Sequence, residues 1–177
     1  MKRVLRRLDK VHEKLNATVA PLDEELFTRQ PADGGWSVAQ VLEHLCLVEG
    51  RVIKDLEREV SRPPQRIRFV RRFVPTAIVS SRLVRVKAPK AVNPETNAGS
   101  DVIEITGKED AIANYNRARN DLKNFCATHG GDRLRHIIFK HPFLGEIDGV
   151  ATVSFVSYHE QRHYKQIREV LRKLARN

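Results

Sequence analysis

Two histidines stand four residues apart near the end of the chain, in the stretch His159-Glu160-Gln161-Arg162-His163. Residues four apart share one helical face, so the two imidazoles could hold one metal ion. Interpreted as the HExxH motif of a zinc protease, the pattern would make Glu160 the general base. Only fourteen residues follow His163, and their one carboxylate is Glu169, which lies off the histidine face. The third ligand that such proteases need therefore has no room downstream.

A third ligand would have to come from upstream, and His44 is suitably placed. It lies one turn from Val41 and from Val48, so it borders the apolar stripe of its helix. Facing helices could bring His44, His159 and His163 to a shared internal point. Three neutral imidazoles would leave coordination positions open for water or substrate, as in catalytic metal sites. The alternative is that each is a core-edge histidine with a satisfied ring.

Four amphipathic helices are predicted to carry these residues. Apolar residues at spacings of three and four predict helices over about 2–20, 38–60, from 108 to near 129–131, and from 150 almost to the C-terminus. Ser37 and Gln40 have the spacing of a capping box at the start of the second helix. The pattern predicts an all-α four-helix bundle that forms one domain over residues 1–177.

The net charge of +10 is concentrated in one segment. Between Ser61 and Pro94 there are nine arginines and lysines and no acidic residue, within a long basic connection over residues 61–100 between the second and third helices. Its arginines could contact nucleic-acid phosphates while Phe69 and Phe73 stack on bases, or the segment could lie on an anionic membrane. It could also be a lid that guides an anionic substrate, or simply a solvated surface.

Three motifs, in order along the chain, resemble those of one family. They are GWSVAQVLEHL at 35–45, HPFLGE at 141–146 and YHEQRHYKQI at 158–167. The set is similar to the WSxxxxxxHL, HPxxG and HxxxHxxQI motifs of the DinB/YfiT-like proteins. The resemblance implies a four-helix bundle, often a homodimer, with a divalent metal (zinc, nickel or iron) bound by His44, His159 and His163.

Relatives in that family include thiol-dependent transferases and isomerases, and many are presumed to be metal-dependent hydrolases. We therefore expect a metal-dependent enzyme that acts on a small molecule by hydrolysis or by transfer involving a low-molecular-weight thiol. The alternative function is a nonenzymatic protein that uses residues 61–94 to bind nucleic acid or an anionic membrane. Glu160 is the candidate general base or a partner of an imidazole N–H; otherwise it is a solvated carboxylate beside Tyr164 or Lys165.

The remaining chemistry-bearing residues receive lesser roles. His12 is a weak candidate for a fourth ligand, and His141 is expected to shape the turn before Pro142. Trp36 either packs on the helix that it precedes or walls a substrate pocket. The two cysteines, Cys46 and Cys126, belong to no CxxC pair and are expected to be buried thiols. The absence of an apolar run behind the basic N-terminus favours a cytoplasmic protein.

Overall fold

The structure is a computed structural model that describes residues 1–65, 92–94, 107–141 and 144–176 of the chain. Its elements are α1 (Lys2–Val19), α2 (Glu24–Thr28), α3 (Val38–Val60), α4 (Lys108–Leu134), β1 (Ile138–His141), β2 (Gly145–Asp148) and α5 (Gly149–Leu174). The four long helices form the bundle, with α1 packed on α5 and with α3 packed on both α4 and α5. The predicted four-helix bundle is confirmed. No helix in the described ranges combines the length and the apolar character that crossing a membrane requires.

Two short elements were not predicted from the sequence. Strands β1 and β2 pair antiparallel as a hairpin in which Phe139 pairs with Ile147, both buried. Gly145 has a φ of 70°, which a side-chain-free residue adopts at little cost. The other addition is α2, whose N-cap Asp23 accepts a hydrogen bond from the backbone N–H of Leu26. Strands of four residues and a helix of five are too short to show a clear hydrophobic period.

Both helices that carry the clustered histidines begin at a capped residue. At α3 the predicted capping box is confirmed, because Ser37 Oγ accepts from the Gln40 backbone N–H at 3.2 Å and Gln40 Oε1 accepts from the Ser37 N–H at 3.0 Å. At α5 the carboxylate of Asp148 accepts from the N–H of Ala151 at 2.7 Å. These caps fix where each helix starts, and hence where its histidines lie along the bundle.

The end of the third bundle helix lies close to its predicted position. Gly130 has φ 70° and ψ 165°, which interrupts the regular helix before a further turn leads to Leu134. A left-handed φ favours glycine, so Gly130 accounts for the kink.

The connection between α3 and α4 is mostly outside the description. Residues 66–91 and 95–106, and with them most of the predicted basic segment, lie outside the described residues. Of its cations, Arg62 is described, and it pairs with Glu59 at 3.0 Å.

The apolar interior divides into two clusters along the bundle. One contains Leu8, Val52, Leu122 and Val156, and the other contains Leu15, Leu45, Tyr115 and Ile167, each with its neighbours. Between them, on all four long helices, lie four polar residues: His12, Glu49, Arg119 and Glu160. We call these four residues the polar layer. Glu49, Arg119 and Glu160 are each at most 1% exposed, so a charged network crosses the middle of the core.

Candidate metal centre

Three histidine rings from two helices converge inside the bundle. Nε2 of His159 lies 3.3 Å from Nε2 of His44 and 3.2 Å from Nε2 of His163. Each ring offers one nitrogen within 4.8 Å of the other two, which suits a single metal ion. These are the three residues that the sequence predicted to meet. That they bind a metal stays a prediction.

Hydrogen bonds on the far side of two rings determine their orientation. His44 Nδ1 donates to the carbonyl oxygen of Val92 at 2.5 Å, and His163 Nδ1 donates to Oε1 of Gln166 at 2.8 Å. A neutral imidazole carries one proton, so a ring that donates from Nδ1 keeps an unprotonated Nε2. The lone pairs of His44 and His163 therefore both face the centre of the cluster.

The environment keeps these rings neutral. Burial lowers the pKa of His163 to about 3, with a further contribution from the neighbouring His44 ring. Burial, followed by the charges of His163 and His44, lowers the pKa of His159 well below the usual histidine range. Burial also lowers the pKa of His44. Neutral imidazole is the form that binds metal, so protons compete weakly for these nitrogens at neutral pH.

Aromatic rings surround the cluster. The Trp36 ring lies 5.2 Å from that of His44 and packs on the second apolar cluster, which includes residues of α3, the helix that it precedes. That it walls a substrate pocket stays a prediction. Phe155 stacks on His159 at 5.5 Å, and His141 meets Phe155 edge-on at 4.3 Å. His141 Nδ1 accepts from the backbone N–H of Leu144, which confirms its predicted role in the turn.

Glu160 does not lie on the helix surface. The prediction of a solvated carboxylate beside Tyr164 or Lys165 is wrong, because Glu160 is fully buried. Its Oε1 accepts from Nη2 of Arg119 at 2.7 Å, and the same nitrogen bonds Glu49 at 2.5 Å. The carboxylate is thus held in the polar layer by Arg119. A general-base role at the histidines stays a prediction, and this geometry does not favour it.

The polar layer also accounts for His12. Its Nδ1 lies 3.7 Å from Oε1 of Glu160, and its ring packs on Tyr115 at 4.5 Å between centroids. Among the described residues, the histidine cluster that could hold a metal does not include it, so the suggestion of His12 as a fourth ligand is wrong. Burial and the charge of Arg119 lower its pKa to about 4, so His12 is neutral at pH 7.

The carboxyls of the polar layer have perturbed acidities. Burial raises the pKa of Glu160 well above the usual range, and the charge of Glu49 adds to this. Burial also raises the pKa of Glu49, although Arg119 opposes the shift. We expect one of the two coupled carboxyls to keep a proton above the usual range for glutamate, which leaves the other to balance Arg119.

The cysteines take no part in the centre. Both are buried free thiols, as predicted, and burial raises the pKa of Cys46 to about 12 and that of Cys126 to about 11. A protonated, buried thiol is a poor nucleophile.

Sequence reasoning missed the residues behind the ligands. Gln166 follows His163 by three residues, and that spacing puts both side chains on one helical face. This signal was available in the sequence. Val92 contributes only its carbonyl oxygen, which no residue type reveals. Arg119 and Glu49 received no role in the sequence analysis, and their residue types do not indicate burial, because charged residues are rarely buried.

Comparisons with known proteins agree with the fold. The family model of the DinB superfamily matches residues 7–167. The uncharacterized protein YuaE of Bacillus subtilis (strain 168) is 24% identical over 157 residues, which cover 88% of this chain and 89% of YuaE.

Two solved structures are also similar. YfiT from Bacillus subtilis, described as "a probable metal-dependent hydrolase with an unusual four-helix bundle topology", aligns with a TM-score of 0.65 at 16% identity, covering 98% of this chain and 87% of YfiT. TT2238, described as a four-helix bundle protein, aligns with a TM-score of 0.60 at 21% identity, covering 95% of this chain and 98% of TT2238. At these identities the likeness shows the fold alone.

Proposed function

Because the chain belongs to the DinB superfamily and brings three histidine nitrogens to one point, we propose that it is a metal-dependent enzyme. The metal is a divalent ion (zinc, nickel or iron) held by His44, His159 and His163, and the substrate is a small molecule that is hydrolysed. The observation that carries the proposal is the convergence of the three Nε2 atoms at 3.2 and 3.3 Å.

The donor set fits a divalent ion for a chemical reason. Because Nδ1 of His44 and Nδ1 of His163 are both donors, the Nε2 lone pairs of these two rings face the centre of the cluster. Both Nε2 atoms lie close to Nε2 of His159. Facing lone pairs repel one another unless a proton or a cation lies between them. A neutral His159 that carries its proton on Nε2 can donate to only one of these two lone pairs, and burial disfavours a further proton by lowering the pKa of all three rings, so a cation is the occupant that satisfies all three nitrogens. Imidazole nitrogen suits zinc, nickel and iron alike.

A divalent ion on three neutral ligands supplies Lewis acidity and lowers the pKa of water or a thiol at its open positions. The chain supplies the geometry. The capped helices α3 and α5 fix the three ligands, while Trp36 and Phe155 provide apolar surface beside His44 and His159. Hydrolysis is favoured over thiol transfer because YfiT, a structural relative, carries the hydrolase description. A low-molecular-weight thiol is retained as a cosubstrate to be assayed.

Elemental analysis of protein purified without chelators, after supply of zinc, nickel or iron, tests the metal site. We expect about one ion per chain in the parent and loss of the ion in His44→Ala and His163→Ala, because two ligands hold a divalent ion far less tightly than three. His136→Ala is the matched control, since His136 bonds the Asp132 carbonyl near the end of α4 and lies outside the cluster. A folded parent that takes up none of the three metals would contradict the proposal.

Activity is then tested on the metal-loaded protein with panels of small ester, amide and lactone substrates, each with and without an added thiol. Turnover that disappears in folded His163→Ala and is retained in His136→Ala supports the enzyme. Turnover that requires the thiol would replace hydrolysis by thiol transfer. A metal-loaded protein that is inactive on every substrate would contradict the proposed catalysis and would not contradict the metal site.

A further inference from the structure

The Gln166 side chain contacts Nδ1 of His163, which is the ring nitrogen that faces away from the histidine cluster. It lies three residues after His163 on α5, and its Oε1 is 2.8 Å from Nδ1 of His163. An amide oxygen is an acceptor, so this contact requires the proton on Nδ1. The second nitrogen of the same ring, Nε2, lies 3.2 Å from Nε2 of His159 and must then present a lone pair.

The other tautomer of His163 would be incompatible with metal binding. If Nδ1 were unprotonated, Nε2 would carry the proton and direct it at His159, and no ion could bind there. The two neutral tautomers of a free imidazole have similar energies, so a hydrogen bond of ordinary strength is enough to select one. At His44 the same selection is made by the backbone carbonyl of Val92, which substitution cannot easily remove.

We propose that Gln166 is a positioning residue, which holds His163 in the Nδ1–H tautomer and thereby presents its Nε2 as a metal ligand. The inference rests on the proposed function, because it assigns Gln166 to the same metal site. Partners behind metal-bound histidines typically change metal affinity about 10–100-fold when they are removed.

The test uses two substitutions that differ in one property. Gln166→Met keeps a side chain of similar length but has no strong acceptor, whereas Gln166→Glu keeps the acceptor and strengthens it. Gln161→Met is the matched control, because residue 161 lies about half a turn around α5 from both His159 and His163. The affinity for Zn²⁺ is measured by competition with a chromophoric chelator, and the unfolding temperature of the metal-free proteins is recorded beside it.

We expect Gln166→Met to bind Zn²⁺ about 10–100-fold more weakly than the parent, while Gln166→Glu binds at least as tightly and Gln161→Met is unchanged. Equal affinity in the parent and Gln166→Met would overturn the inference. So would equal weakening in Gln166→Met and Gln166→Glu, because side-chain shape rather than the acceptor would then matter.

A second measurement separates this inference from the proposed function. In metal-free protein labelled with ¹⁵N-histidine, NMR distinguishes the Nδ1–H and Nε2–H tautomers of His163. We expect the Nδ1–H form in the parent and in Gln166→Glu, and a shift toward Nε2–H in Gln166→Met. A parent that binds no metal but shows this pattern would refute the metal site alone. An Nε2–H tautomer in the parent would overturn the role of Gln166.

Discussion

Replacing Arg119 by methionine would remove the central donor of the polar layer. Arg119 is 1% exposed, and its Nη2 donates to both Glu49 at 2.5 Å and Glu160 at 2.7 Å. Its Nε adds a bond to Glu49 at 3.3 Å, and its Nη1 donates to the carbonyl of Leu8 at 3.2 Å. Methionine fills much of the same space without a donor, so two carboxyls would lose their charged partner inside the core, and the Leu8 carbonyl would keep only its bond within α1.

The expected loss of stability follows from this burial. Removing one partner of a buried ion pair costs about 3–5 kcal/mol, because the remaining charge has neither water nor a counterion. A domain typically unfolds with a free energy of about 5–15 kcal/mol, so Arg119→Met would lose a third or more of the total in most of that range. Replacing the whole trio by apolar residues should recover most of the loss, since no charge is then left buried.

Urea denaturation in the presence of a chelator measures these differences without a contribution from metal. The loss should also depend on pH. A carboxyl whose pKa is raised in the folded state contributes stability below its unfolded pKa and loses that contribution as pH rises through the folded pKa. Burial already raises the pKa of Glu49 and Glu160. Arg119 opposes the shift at Glu49 and lies 2.7 Å from Glu160, so we expect its removal to raise the pKa of both carboxyls further. The deficit of Arg119→Met should therefore be larger at about pH 8 than at about pH 5.

Two results would refute this reasoning. One is a deficit below about 1 kcal/mol at the higher pH, which would mean that water or a rearrangement replaces the guanidinium. The other is a triple variant, with methionine at positions 49, 119 and 160, that is less stable than Arg119→Met alone. Lys123→Met is the control, because Lys123 pairs with Asp9 at 2.8 Å on the exposed surface, where such pairs contribute about 0–1 kcal/mol.

Three further predictions concern stability. Ser37→Ala should cost about 1 kcal/mol in urea denaturation by breaking the capping box with Gln40, and an unchanged midpoint would contradict that role. Gly149→Ala should destabilise by more than the usual surface substitution, because its Cβ would lie 2.8 Å from the carbonyl oxygen of Leu134; a neutral effect would mean that this contact yields freely. Because burial lowers the pKa of His163 to about 3, its contribution to stability is present above about pH 6.5 and falls by about 1.4 kcal/mol per unit as pH drops below that. His163→Ala should lower the slope of metal-free stability against pH by about one proton between about pH 6 and 4, whereas an identical slope would show that the ring is not buried neutral.

The fold was largely predictable because its main signals are local. The spacing of Val41, Leu45 and Val52, and of their counterparts on the other helices, defines one apolar face per helix, and a bundle is how four such faces are buried together. Gly130 and Ser37 mark helix ends by their own chemistry. The hairpin was missed because four-residue strands show too few alternations, and their pairing depends on contacts between residues distant in sequence.

The three ligand residues of the candidate centre could be predicted from the sequence, whereas the residues that contact and orient them could not. His159 and His163 share a helical face, and His44 borders a stripe that must turn inward, so their meeting follows from local periodicity. The position of Glu160 depends on Arg119, which lies 41 residues away along the chain. Whether a charged side chain is buried is decided by its partner in space. Without that partner, Glu160 looks like any solvated glutamate on a helix.

The division of the core by the polar layer bears on helix register. Leucines and valines have no polar group that needs a partner, so a helix that slid by one turn, about 5.4 Å, could still bury an apolar face in either cluster. Glu49, Arg119 and Glu160 do not tolerate such a shift, because each would then face leucines and lose its counterion. We therefore expect the layer to disfavour every misaligned bundle by the cost of an unpaired buried charge. The network would therefore select one alignment of the helices. That alignment is the one that brings the Nε2 atoms of His44, His159 and His163 together.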